Sequence, residues 1–189
     1  MGVCGDMLPN CTPIVIAVGQ DSNYQFTSAE DGVWFDMDGD GVLNLVAWTR
    51  PGDPVAFLAL DLNGNGIIDN GTELFGNSTI LPNGQSVGNG FDALAYYDAN
   101  GDGIIDPLDP IWPSLRLWID WNHDGVSQNW ELYRLEDWGV TSISVEYRTI
   151  NRRDAYGNLY RLQASCKLGG RTRFAYDVYF SAKPSRRPN

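Results

Sequence analysis

The sequence predicts a β-rich α+β fold: short strands and hairpins with a few short helices, arranged around acidic loops. Three observations predict it. Short apolar or alternating runs, rich in Val, Ile, Leu and aromatic residues, recur between clusters of Gly, Pro, Asn and Asp. Four segments, at 36–47, 61–73, 98–109 and 120–131, set Asp or Asn at alternate positions ahead of a Gly. Helical spacing is confined to two brief stretches, 91–97 and 129–138.

In chain order, residues 1–11 are punctuated by Gly, Pro and Cys and read as an irregular N-terminal segment. Residues 12–18 (TPIVIAV) are short, apolar and β-branched, which predicts a buried strand. Short strands are expected at 24–27, 33–36 and 55–60, with a turn at 49–54 (TRPGDP). Residues 74–90 are a long loop with turn signals at Pro82-Asn83-Gly84 and Asn89-Gly90. The 91–97 stretch puts Phe91, Leu94 and Ala95 on one helical face, with Asn89 placed to cap it. Pro107, Pro110 and Pro113 forbid a long helix after it. A strand is expected at 115–119, a helix at 129–138 stopped by Gly139, and a strand at 140–147. Residues 159–168 and 172–180 form a hairpin about Gly169-Gly170. The expected organisation is a core at 12–147, a C-terminal hairpin at 148–180 packed on it, and a flexible basic tail at 181–189.

The four acidic segments have the spacing of an EF-hand calcium loop. Calcium is a hard cation that takes six to eight oxygens, and a tight loop aims alternate side chains at one point. In the third segment Asp98, Asn100 and Asp102 occupy positions one, three and five, with Ile104 at seven, Asp106 at nine and Asp109 at twelve. In the fourth, Asp120, Asn122 and Asp124 take the same places, with Val126 at seven and Glu131 at twelve. At seven the backbone carbonyl is the expected ligand, and at twelve a carboxylate closes the site. These two are complete and adjacent in sequence. The first segment offers Asp36, Asp38, Asp40 and Asn44, but Ala47 stands at twelve, so Glu30 or Asp31 would have to close it from outside. The second offers Asp61, Asn63, Asn65, Ile67 and Asp69, and its closing acid, Glu73, falls one place late at thirteen. Three or four calcium ions are therefore expected. The alternative at each loop is an Asx/Gly turn with solvated carboxylates, and the first segment also reads as a hairpin turn between strands.

Charge supports cations. The 189-residue chain carries −11, but residues 1–147 hold 22 of the 24 acidic and 3 of the 13 basic residues, a net of −19. Residues 148–189 carry +8. Repulsion on that scale destabilises the compact state unless cations neutralise it, and four calcium ions would bring −11 to −3. The acidic core argues against nucleic acid as partner. Three cysteines allow one internal pair, with Cys4 open to Cys11 or to Cys166. No run is long and apolar enough to span a membrane and no leader is visible, so a leader has been removed or the chain is part of a longer one.

The runs DGVWFDMDGDG, FLALDLNGNGIIDNGTELFGN, NGFDALAYYDANGDGIID, LRLWIDWNHDGVSQNWEL and GVTSISVEY resemble the EF-hand-like calcium module of bacterial secreted RTX-type proteins and are similar to the self-processing modules of some of them. The resemblance runs from about Thr12 to Tyr147 and continues through the hairpin. It implies a secreted or cell-surface bacterial protein that binds several calcium ions. Self-processing members cut an Asp-Pro bond just before the first strand; here that place is Thr12-Pro13, which has no carboxylate to attack its own peptide carbonyl.

Function is therefore read as structural: a calcium-binding extracellular module that folds or rigidifies on calcium and mediates adhesion or assembly, as a subunit of a surface structure in the sharper version. Partners would be a second copy, another extracellular protein or a glycan. A calcium-dependent self-processing module and a carbohydrate-binding module are the alternatives. Seven tryptophans motivate the latter, although packing accounts for most such residues. His123, the one histidine, sits at loop position four, where side chains face solvent, and no nucleophile constellation accompanies it, so an enzyme is not expected.

Overall fold

The computed structural model describes residues 11–20 and 24–183. Eleven strands and one α-helix run in the order β1 (Ile14–Ala17), β2 (Val33–Phe35), β3 (Asn44–Val46), β4 (Val55–Leu60), α1 (Gly90–Ala95), β5 (Ile104–Ile105), β6 (Leu115–Trp118), β7 (Leu132–Tyr133), β8 (Val140–Arg153), β9 (Leu159–Leu168), β10 (Arg171–Tyr179) and β11 (Ala182–Lys183) among the described residues. Eight strands form an antiparallel sheet ordered β5-β8-β9-β10-β1-β4-β6-β7, and β11-β3-β2 form a second.

This overturns the α+β expectation: the fold is essentially all-β. The helix at 91–97 exists as α1, and the Asn89 side chain caps it by accepting from Asp92 N. The helix expected at 129–138 does not form. Two 3-10 turns, Asn129–Glu131 and Glu136–Trp138, bracket β7 there. Leu132 instead pairs with Trp118 and Tyr133 with Leu117, so sheet pairing and burial outweigh the helical spacing. The strand expected at 24–27 reduces to one bridge, Phe26 with Thr49.

Strand alternation explains the two cores. Along β1, Ile14 and Ile16 face one cluster and Val15 the other; along β4, Ala56 and Leu58 face the first and Phe57 the second. The first cluster packs α1 residues Phe91 and Leu94 against the large sheet. The second packs Val33, Phe35 and Val46 of the small sheet against Val15, Phe57 and Trp118. Burial of each such side chain contributes about 1.5–3 kcal/mol.

The C-terminal hairpin is no separate layer packed on a core. β10 pairs with β1 (Val15 opposite Tyr176), so the hairpin is continuous with the central sheet. Of the basic tail, residues 181–183 are not free: β11 pairs with β3, and Lys183 Nζ meets the Glu30 carboxylate. Residues 184–189 and 1–10, including Cys4, lie outside the described residues. Cys11 is disulfide-bonded, and Cys166 is free and buried, so Cys166 is not the partner in question.

Asn158, fully buried, ties three segments together. Its Nδ2 donates to the Thr27 carbonyl (3.1 Å) and to Asp154 Oδ2 (2.8 Å). Its Oδ1 accepts from Ser181 N (2.9 Å) and Ser181 Oγ (3.1 Å). All four hydrogen-bonding places of the amide are used. Asn158→Ala is expected to cost about 2–4 kcal/mol, since it leaves buried backbone groups unsatisfied; urea denaturation reads the loss.

Candidate metal centre

In all four loops the first Asp gathers the turn onto its carboxylate. Asp36 accepts from the amides of Gly39 (2.8 Å), Asp40 (3.2 Å) and Gly41 (2.9 Å). Asp61 accepts from Gly64 (2.7 Å), Asn65 (3.2 Å) and Gly66 (2.8 Å). Asp98 takes Gly101 and Gly103, both at 2.8 Å, and Asp120 takes Asp124 (3.1 Å) and Gly125 (2.8 Å). The sixth residue is left-handed each time: φ is 84° at Gly41, 86° at Gly66, 81° at Gly103 and 71° at Gly125. A side chain there would be strained, which is why Gly recurs.

The closing acids act alike in three loops. Asp109 accepts from the amides of Ala99 (2.9 Å) and Asp106 (3.0 Å), residues two and nine of their loop. Glu131 accepts from Trp121 (2.9 Å) and Gln128 (3.4 Å), again two and nine. Glu73 accepts from Leu62 (3.0 Å) and Asp69 (2.8 Å), also two and nine, so the extra residue is absorbed and Glu73 closes its loop. All three acids are buried. Among the described residues no such clamp holds the Asp36 loop. Glu30 is held by Lys183, and the Asp31 carboxylate accepts from the Ser28 hydroxyl (3.0 Å).

The donor set fits a hard cation, being carboxylate, amide and carbonyl oxygen. Carboxylate oxygens of Asp36, Asp38 and Asp40 lie within 4.8 Å of one another, and Asp38 Oδ1 is buried with no hydrogen-bond partner. Burial and then repulsion by Asp40 raise the Asp38 carboxyl above its ordinary range. Burial, with Asp120 adding to it, does the same to Glu131. In the other loops side-chain amides draw the carboxylates in. Asn63 and Asn65 both donate to Asp69 Oδ2 at 2.8 Å, Asn100 to Asp102 (3.0 Å) and Asn122 to Asp124 (2.8 Å). Asp106 sits half-buried and accepts from Leu108 N (2.8 Å), and the Asn44 amide turns back to the Val42 carbonyl (3.4 Å). Ile67, Ile104 and Val126, at position seven, have exposed side chains, as residues expected to contribute only their carbonyls can.

The loops do not pair as their order suggests. The Asp98 and Asp120 loops are neighbours in sequence, yet the Asp98 loop lies along β8, where Val145 N donates to the Gly103 carbonyl (3.0 Å). The Asp120 loop meets the Asp61 loop. At position eight of each, Ile68 N donates to Ser127 Oγ (2.6 Å), and that hydroxyl lies 3.3 Å from the Ile68 carbonyl. The Asp36 loop joins them, with Gly71 N donating to the Asp36 carbonyl (2.8 Å). Trp48 Nε1 donates to Asp120 Oδ2 (2.8 Å) from the second core. His123 is not turned to solvent. Its Nδ1 lies 2.8 Å from the Thr49 carbonyl and its Nε2 2.8 Å from the Asp31 carbonyl, on a backbone with φ of 60°. A neutral ring can donate to only one of two carbonyls. Sequence reasoning missed Ser127, Trp48 and this role of His123; the Ser at position eight, where the other loops have an aliphatic residue, was the available signal.

Thr12 and Pro13 are buried. The Thr12 hydroxyl lies 3.3 Å from Asp177 Oδ2, and its amide donates to Asn77 Oδ1 (2.9 Å). Asp177 also accepts from Gly90 N (2.6 Å), and its Oδ1 is buried without a partner. The tryptophans make no solvent-facing row: Trp48, Trp112 and Trp118 are buried, Trp121 packs on Trp138, and Trp34 and Trp130 are the exposed ones. Among the described residues no helix is long and apolar enough to cross a membrane.

A family model described as the SPM domain matches residues 14–181. The chain is 41% identical over 152 residues to the iron-regulated protein FrpA of Neisseria meningitidis serogroup C. That match covers 80% of this chain but 14% of FrpA, so the chain spans a small part of that relative's length.

Proposed function

The chain belongs to the SPM domain family, and from that premise we propose that it is a calcium-stabilised module of RTX-type bacterial proteins, working outside the cell. The observation that carries this reading is the shared clamp: Glu73, Asp109 and Glu131 each join residues two and nine of an oxygen-lined loop. Calcium, when bound, supplies the positive charge that lets buried carboxylates stand together, so its binding energy is folding energy. The chain's own part is to preset the loops: Gly at position six turns the backbone, and the first and closing acids hold it. The role is structural, namely adhesion or assembly through a second copy, another extracellular protein or a glycan.

Calcium titration of the metal-stripped protein, with heat of binding and circular dichroism followed together, tests it. Three or four ions are expected, at affinities suited to roughly millimolar extracellular calcium, with a gain of ordered structure. No heat and no spectral change would sink the reading. Intact mass after incubation in calcium separates the self-processing alternative: Thr12 in place of Asp predicts an uncut chain, and a cut one would move the function there.

A further inference from the structure

The large sheet is covered unevenly. On the face bearing Val15, Phe57 and Trp118, the small sheet lies against the second core. On β10 the same face continues outward from Val178 through Tyr176 to Phe174, and register places Gln163 beside Tyr176 and Arg148 beside Gln163. Here the side chains are cationic and aromatic. Phe174 is 44% exposed, and its ring lies 6.4 Å from that of Tyr176. Arg148 Nε donates to Gln163 Oε1 (2.8 Å), and Gln163 Nε2 to the Tyr176 hydroxyl (3.0 Å), which fixes the guanidinium against the sheet. The Arg152 guanidinium stands 4.1 Å over the Tyr160 ring. Lys167 is exposed on the same face of β9.

Both acids of the basic region are turned away from it. Asp154 is spent within the β8–β9 turn, on the amides of Tyr156 (2.9 Å) and Asn158 (3.0 Å). Asp177 is buried on the opposite face, among the first core. The face sets Arg148, Arg152 and Lys167 against one exposed acid, Glu146 on β8, and its positive excess asks for an anion. β9 is paired on both sides, so the middle of this face offers side chains rather than a strand edge; the edges that β1 leaves free on β10 before Ala175 and that β5 leaves free on β8 beyond Val145 lie at its margins. What remains is side-chain chemistry: flat rings that stack on pyranose C–H faces, and guanidinium and ammonium groups that hold carboxylates.

We propose that the outer face of β8, β9 and β10 binds an acidic polysaccharide, with sugar rings on Phe174 and Tyr176 and carboxylates at Arg148, Arg152 and Lys167. The site is separate from the calcium loops, and its failure would leave the calcium reading standing. The test is binding of hyaluronan oligosaccharides to the full chain in calcium buffer, with neutral dextran and polyglutamate as comparators. Hyaluronan is expected to bind, more weakly as salt rises, and dextran not to bind. Phe174→Ala and the double variant Arg148→Ala with Lys167→Ala are each expected to weaken binding at least tenfold with unchanged melting, because these side chains are exposed. No binding of hyaluronan would overturn the proposal. So would equal binding of polyglutamate with no loss in Phe174→Ala, which would assign the face to an acidic protein. Self-association that the same variants abolish, without glycan binding, would assign it to a second copy.

Discussion

Glu131→Ala is expected to destabilise the protein by about 3–5 kcal/mol and to abolish calcium binding at the Asp120 loop. Glu131 is fully buried. Besides the amides of Trp121 and Gln128, its carboxylate accepts from Trp118 Nε1 (3.4 Å) in the second core. Truncation leaves those donors buried and unpaired, and opens the clamp between residues two and nine. Glu131→Gln separates the two roles. It keeps an oxygen for the Trp121 amide and removes the charge. Burial raises the Glu131 carboxyl, but the amide nitrogen would face the Trp118 Nε1 and Gln128 N donors that now meet Oε2, so the Gln variant also loses stability without metal. Urea denaturation with and without calcium should then show a Gln variant below the parent without calcium and further below it with calcium. An undiminished calcium-dependent gain in the Gln variant would remove Glu131 from the ligand set.

Asp177→Asn is expected to stabilise the protein above neutral pH by roughly 2–4 kcal/mol and to confer no advantage near pH 4. Burial, opposed by the Gly90 amide, the Thr12 hydroxyl and Arg161 and reinforced by Asp92, pushes the Asp177 carboxyl up to about 7. Its ordinary value is 3.8. Between these values the folded protein keeps a proton that the unfolded chain gives up. Stability from this group therefore falls as pH rises through that window, and the loss is complete above about 7. An amide cannot ionise, so the loss vanishes. The difference between variant and parent, measured across pH at fixed calcium, cancels the titration of the loop acids. A difference that stays flat with pH would mean that Asp177 ionises freely in the folded state.

The strands were legible because each alternation or apolar run matched one burial pattern. Ile14, Val15 and Ile16 read as a buried strand, and Gly169-Gly170 read as the hairpin turn between β9 and β10. The turns of the four loops were legible at Gly41, Gly66, Gly103 and Gly125, because a tight turn needs a left-handed residue at position six. The all-β class was not. Asn129–Glu131 has a helical start, with Gln128 and Glu131 forming a capping box, but Glu131 is drawn inward by three donors and the helix stops after one turn. Partnerships across the chain were equally hidden. Nothing local in Ser127 announces Ile68, 59 residues away, and nothing in Asp177 announces Thr12, 165 residues away. The hairpin reading of 36–47 and the metal reading are both compatible with the fold, since β2 and β3 pair around the acidic turn.

The central place of β1 bears on how the molecule comes to exist. β1 lies between β10 and β4, so the sheet closes only when residues near 15 meet residues near 176. Contacts of such sequence separation place folding at the slow end, on the order of milliseconds to seconds, because chain entropy is lost before pairing returns it. A chain threaded through a pore from either end would lack one strand of the central pair until almost all of it had crossed.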